Sequence, residues 1–178
     1  GLRNVDRESQ WFKSGYRNWV QGYRLVLQSL VFPFPVPLSA TWTANNIGES
    51  TIAGQILTEQ RLVKTDVLLA DETFGGEDLV ALYKQAQIWL LTPKQLPKER
   101  RSFKDDLYDY RKETIELLFQ RIIQSFDLKN CQVKGLDKNG VFVLASIWVY
   151  QAVFLMNYRQ QKPLFVIKEL IEWARWRI

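Results

Sequence analysis

Two short apolar runs, Val67–Ala70 and Ile88–Leu91, limit this chain more than any other feature. Each is too short for a helix and long enough for a buried strand. Between them, "GEDLVALYKQAQ" puts Leu79, Leu82 and Tyr83 on one helical face. Strand, helix, strand at this spacing is a crossover, and crossovers join parallel strands. The preceding "NNIGESTIAGQILTEQRL" reads as another helix, with Asn45 or Asn46 as its cap and Ile47, Ile52, Ile56 and Leu57 inward. The fold class is therefore α/β, a sheet with parallel members flanked by helices.

The first 44 residues read as β. Tyr23–Val31 is rich in branched and apolar residues, and Pro33, Pro35 and Pro37 interrupt it. Leu38–Ala44 then alternates, with Leu38, Ala40, Trp42 and Ala44 on one face and Ser39, Thr41 and Thr43 on the other. A hairpin or meander with a proline-rich turn is expected. Residues 93–106 read as a charged loop, and Leu107–Phe126 as a helix with Ile115, Leu118, Phe119, Ile122 and Phe126 in one stripe. A polar connection over 129–138 leads to a nearly all-apolar helix, Val141–Tyr158, and a last helix over Leu164–Trp176. Phe142, Leu144, Ile147, Val149 and Phe154 are expected to face the core. The apolar run "VFVLASIWVYQAVFLM" falls short of the roughly 20 residues of a membrane span, so it reads as a core helix of a chain without a membrane segment.

Composition narrows the chemistry. The 178 residues contain no histidine, which excludes Ser-His-Asp, Cys-His and His-ligated zinc sites. The single cysteine, Cys131, excludes an internal disulfide and suits a reducing, cytoplasmic setting. Catalysis would have to use carboxylates, lysines, tyrosines or a hard cation held by oxygen. The net charge of +5 favours a polyanionic partner. The chain opens on Gly1 in polar sequence without a signal-peptide pattern, and is expected to be part of a longer protein.

Two acids stand out. Asp71 ends the first buried run, and ligands gather beyond the carboxyl ends of parallel strands. A turn-capping role would place an Asp there equally well. Glu116 borders the apolar stripe of the 107–126 helix, with Glu113 one turn before it. Ion pairing with Lys112 and Arg121 on a solvated face is the alternative. An acid at a strand end and an acid on a later helix together can hold divalent metal, because magnesium takes oxygen ligands and keeps waters. The run "KQLPKERRSFK" supplies Lys94, Lys98, Arg100, Arg101 and Lys104 for DNA phosphates, and Tyr108 and Tyr110 could stack on an unpaired base.

In order along the chain, "WFKSGYRNWVQGYRLVL", "VLLADETF", "YRKETIELLFQRIIQSFDLKN" and "GVFVLASIWVYQAVFLMNYR" resemble the signatures of bacterial insertion-sequence transposases with a DDE catalytic domain. The resemblance implies an RNase H-like mixed sheet flanked by helices, a single domain over 1–178 whose 139–178 portion is helical, and metal-dependent phosphoryl transfer for DNA cleavage and strand transfer. It implies Asp71 and Glu116 as catalytic metal ligands, Mg2+ or Mn2+ as cofactor, and DNA, both element ends and target, as partner. Arg111 and Lys112 would contact DNA beside Lys94, Lys98, Arg100, Arg101 and Lys104, and a homodimer is admitted. The family has Arg where Lys112 stands, with Arg111 adjacent, and often Lys where Ile123 stands. Its first acid should lie upstream of the "GYR" strand, so it is expected before Gly1, with Asp6 as the substitute inside the chain. On that expectation a full-length parent is an enzyme, while this chain alone does not cleave. A DNA-binding remnant and a nuclease without strand transfer are the alternatives.

Overall fold

The computed structural model describes residues 6–14, 18–44, 46–59, 61–93, 102–128, 133–169 and 171. Its elements are β1 (Gln10–Ser14), β2 (Asn18–Leu30), β3 (Val36–Ala44), α1 (Glu49–Thr58), β4 (Val67–Leu69), α2 (Glu77–Gln85), β5 (Trp89–Leu91), α3 (Phe103–Phe126) and α4 (Leu136–Arg159), with a one-turn 3-10 helix at Glu72–Phe74. They form two compact units. One combines residues 1–46 and 116–178; the other is the contiguous stretch 47–115. The class is mixed α/β as expected, with the strands in a three-stranded antiparallel sheet and a two-stranded parallel one.

In the first unit, β1, β2 and β3 form a meander. Only β2 and β3 carry a strong sequence signal, because β1 is a short edge strand. β3 begins earlier than its alternation suggests and includes Pro37, opposite Ser29 where the register shifts between Gln28 and Ser29. A proline has no N–H to give a ladder, and an edge strand at an irregularity tolerates it.

α4 packs on β3. Gly140 lies tight against it: an added Cβ there would lie 2.8 Å from Trp42 Cδ1. The Trp42 indole N–H donates to the Leu136 carbonyl at 3.0 Å, and the Gln151 amide donates to the Pro37 carbonyl at 2.8 Å. The buried face carries Val143, Ile147, Tyr150 and Phe154. Of the five residues expected inward, Ile147 and Phe154 are buried, Leu144 is half-buried, and Phe142 and Val149 are exposed. An almost wholly apolar sequence has no polar face to set its phase. The last helix, expected from Leu164, is seen at Lys168, Glu169 and Ile171, after turns at Leu164 and Phe165; residues 170 and 172–176 lie outside the described residues.

In the second unit, α1 and α2 cover the β4–β5 pair around Ala53, Ala70, Leu79, Tyr83 and Leu90. The buried Tyr83 hydroxyl donates to the Ala53 carbonyl at 3.1 Å. β4 and β5 are parallel, in the register Val67↔Trp89 to Leu69↔Leu91. The N-cap of α1 is Gly48, without a side-chain cap, rather than the expected asparagine. The helix start is instead tied by Glu49, whose carboxylate accepts the Thr73 hydroxyl at 2.6 Å.

α3 starts at Phe103, earlier than the expected Leu107. Asp105 ties its start: its carboxylate accepts from the Ser102 N–H at 2.7 Å and from the Ser102 hydroxyl at 2.9 Å. The spacing Ser-x-x-Asp was a legible signal for this start. It places Lys104 on a helix rather than in a loop.

Candidate functional site

Asp71 stands just past the carboxyl end of β4. The ladder continues one residue beyond the strand, with the Ala70 N–H donating to the Leu91 carbonyl at 2.9 Å. Asp71 is extended, with φ −75° and ψ 169°, and caps the one-turn helix; its Oδ1 accepts the Glu72 N–H at 2.7 Å. The turn is braced from α1 by Glu49 and by Ser50, whose hydroxyl donates to the Thr73 carbonyl at 2.8 Å. So the turn-capping role and the strand-end role coexist in one exposed carboxylate.

A helix residue far along the chain reaches the same oxygen. The Tyr108 hydroxyl is 3.5 Å from Asp71 Oδ1, and the Arg111 guanidinium lies 5.5 Å from the centre of the Tyr108 ring. Burial raises the Tyr108 pKa; Arg111 opposes the rise, and the charges of Asp71 and Glu72 add to it. The phenol stays a donor to the carboxylate at neutral pH. Asp71, Glu72, Tyr108 and Arg111 thus form one polar edge, with an anion and a cation on either side of a phenol. In the sequence Tyr108 is legible only as a stacking platform, because its tie to Asp71 spans 37 residues.

The other candidates are dispersed. Lys104 lies over Trp89 at 5.4 Å. Trp89 pairs with Val67 where the parallel strands begin, so Lys104 sits at the opposite end of the pair from Asp71. Lys112 and Glu113 are exposed on α3 in the 47–115 unit; Glu116, also exposed, opens the stretch of α3 belonging to the other unit. Arg121, considered as an ion-pair partner, lies over the Phe165 ring at 3.9 Å. Lys94, Lys98, Arg100 and Arg101 lie outside the described residues. Asp71 offers the hard oxygen that a divalent cation takes, but among the described residues no three such side chains gather around one point.

Asp6, the substitute first acid, is occupied structurally. Its carboxylate accepts the Tyr23 hydroxyl at 2.7 Å, the Gly135 N–H at 2.9 Å and the Glu8 N–H at 3.1 Å. Glu8 accepts the Leu136 N–H at 2.6 Å, so both acids cap the start of α4. Burial by itself would raise the Asp6 pKa, but hydrogen bonds from Gly135, Tyr23, Glu8 and Ser9 hold it below its usual value. A lowered folded pKa gives stability present above the unfolded value, near 3.9, and lost as pH falls through the folded one. Asp6→Asn is expected to lower stability at pH 7 in urea unfolding, by a difference that shrinks below about pH 4. A penalty that stays constant down to pH 2 would show that the charge is not what matters.

The family described as the transposase DDE domain matches residues 4–151, which takes in both acids and most of the chain. The chain belongs to the DDE transposase family. No curated protein and no solved structure matches it. A transposase acts in DNA transposition, so DNA is the partner of this domain, and divalent metal is typical of its family. Of the helices among the described residues, only α4 is long and apolar enough to cross a membrane.

Proposed function

We propose that this transposase domain carries out metal-dependent phosphoryl transfer on DNA, cleaving at insertion-sequence ends and joining them to a target. The observation that carries this reading is Asp71, an exposed carboxylate at the carboxyl end of a parallel strand pair in a chain of this family. Asp71 and Glu116 are the proposed metal ligands of an RNase H-like catalytic domain. Mg2+ or Mn2+, when bound, supplies Lewis acidity toward a phosphodiester and a more acidic water.

The chain's own residues have separate tasks. Tyr108 holds the Asp71 carboxylate in orientation. Arg111 and Lys112 offset phosphate charge. Lys94, Lys98, Arg100, Arg101 and Lys104 grip the DNA backbone, so binding weakens steeply with salt. The proposed setting is a cytoplasmic protein, with a homodimer as its assembly.

The test uses the full-length protein on DNA carrying the element's ends. Glu116→Ala is expected to lose both Mn2+ binding, followed by calorimetry, and cleavage, while DNA affinity stays within a few-fold. Glu113→Ala, on the neighbouring turn, should behave like the parent. An inactive Glu113→Ala with an active Glu116→Ala would reassign the ligand. Cutting without joining would indicate a nuclease, and binding without cutting an inactive remnant.

A further inference from the structure

α4 is apolar almost all the way round, and such a helix is ordinarily covered on every side. Its inner face is taken by β3. Its outer face carries Val141, Ala145, Trp148, Ala152 and Leu155, all exposed and spaced alternately four and three residues apart. That is the spacing of a seam built against another helix. Val141 is 71% exposed, Trp148 74% and Leu155 55%. Phe142, Val149 and Met156 widen the stripe along one side, and no charged residue lies between Lys138 and Arg159. The six large residues of the stripe are between 39% and 74% exposed, a contiguous apolar surface beyond the few hundred Å2 common on monomers and on the order of the ~800 Å2 each partner contributes to a stable interface.

The length and mean hydropathy of α4, 24 residues and 1.6, would also suit a membrane span. Its inner face argues against lipid. Trp42 and Gln151 bond it to β3 and its flanks, part of an open three-stranded sheet. Open sheet edges do not survive in hydrocarbon.

We propose that the occupant of this face is α4 of a second copy of the chain, packed antiparallel about a twofold axis at Trp148. The stripe complements itself in that arrangement. The large central indole is flanked by Ala145 and Ala152, so each Trp148 fills the space left by the alanines of the second copy. Val141 then meets Leu155 of that copy, and the reverse, as an isologous contact requires. The seam is neutral, so the positive charge of the chain does not oppose it there. The interface is independent of catalysis, and a chain without cleavage activity should form it equally well.

Sedimentation equilibrium of the full chain is expected to show a dimer. Trp148→Glu places two carboxylates face to face and should raise the dimer Kd at least roughly a hundredfold. Because Trp148 is exposed in the single copy, the far-UV circular dichroism of the variant should not change, and its urea midpoint should match that of the parent at concentrations low enough for both to be monomeric. In a Cys131→Ser background, Trp148→Cys should form a disulfide with itself under mild oxidation. Val141→Cys should do so only when mixed with Leu155→Cys. A chain that stays monomeric throughout, a dimer indifferent to Trp148→Glu, or a monomer that floats with lipid vesicles would each overturn the proposal. Cross-linking of Val141→Cys with itself would overturn the antiparallel register.

Discussion

Asp71→Asn is expected to lower DNA cleavage by the full-length protein at least about a thousandfold while leaving the fold as stable as the parent. The two halves of this result separate the two roles of Asp71. As a cap, it needs only a side-chain oxygen to accept the Glu72 N–H, and asparagine caps helices as well as aspartate does. The stability change should therefore stay within about 0.5 kcal/mol. As the proposed metal ligand it needs negative charge, which asparagine lacks. Loss of cleavage at unchanged stability and DNA affinity would support the metal role. Retained cleavage would reduce Asp71 to a turn residue. Asp71→Ala is a poorer test, because it removes cap and charge together.

Gly140→Ala is expected to destabilise the protein by about 2 kcal/mol, although alanine is the better helix former by about 1 kcal/mol. The added methyl would lie 2.8 Å from Trp42 Cδ1. That indole has little room to yield. Its N–H is bonded to the Leu136 carbonyl at 3.0 Å, and its ring lies 5.4 Å from that of Tyr23. Either the hydrogen bond breaks or α4 lifts from β3. Trp42→Ala removes the crowding ring altogether, so in that background Gly140→Ala should lose much of its penalty in a double-mutant cycle. A Gly140→Ala chain more stable than the parent in urea would show that the helix can shift freely.

The parallel pair and its crossover were legible because β4 and β5 are short apolar runs bounded by polar residues, a pattern that sheet burial imposes directly. The placement of Asp71 followed from the same boundary. Its partner Tyr108 did not, since a contact across 37 residues leaves no local periodicity. The phase of α4 was illegible for the opposite reason. Apolar residues occupy nearly every position, so only packing on the sheet, with Gly140 against Trp42 and Gln151 bonded to Pro37, selects the inward face. Asp6 looked like a spare catalytic acid by residue type alone. Its hydrogen bonds to Tyr23 and Gly135 show a capping role that only tertiary structure defines.

The first unit is also discontinuous, and this bears on the order in which the chain folds during synthesis. The 47–115 stretch has its own core and can settle as soon as it emerges. The β1–β3 meander is made earlier, but the helix that covers it comes much later. The bond from Trp42 spans 94 residues, that from Gln151 spans 114, and the Glu8 cap spans 128. At ordinary translation rates the covering face of the sheet waits on the order of ten seconds for α4. During that interval an apolar sheet face with an open edge is available to other nascent chains or to a chaperone. Slower elongation through residues 47–115 would lengthen this exposure without altering the finished fold.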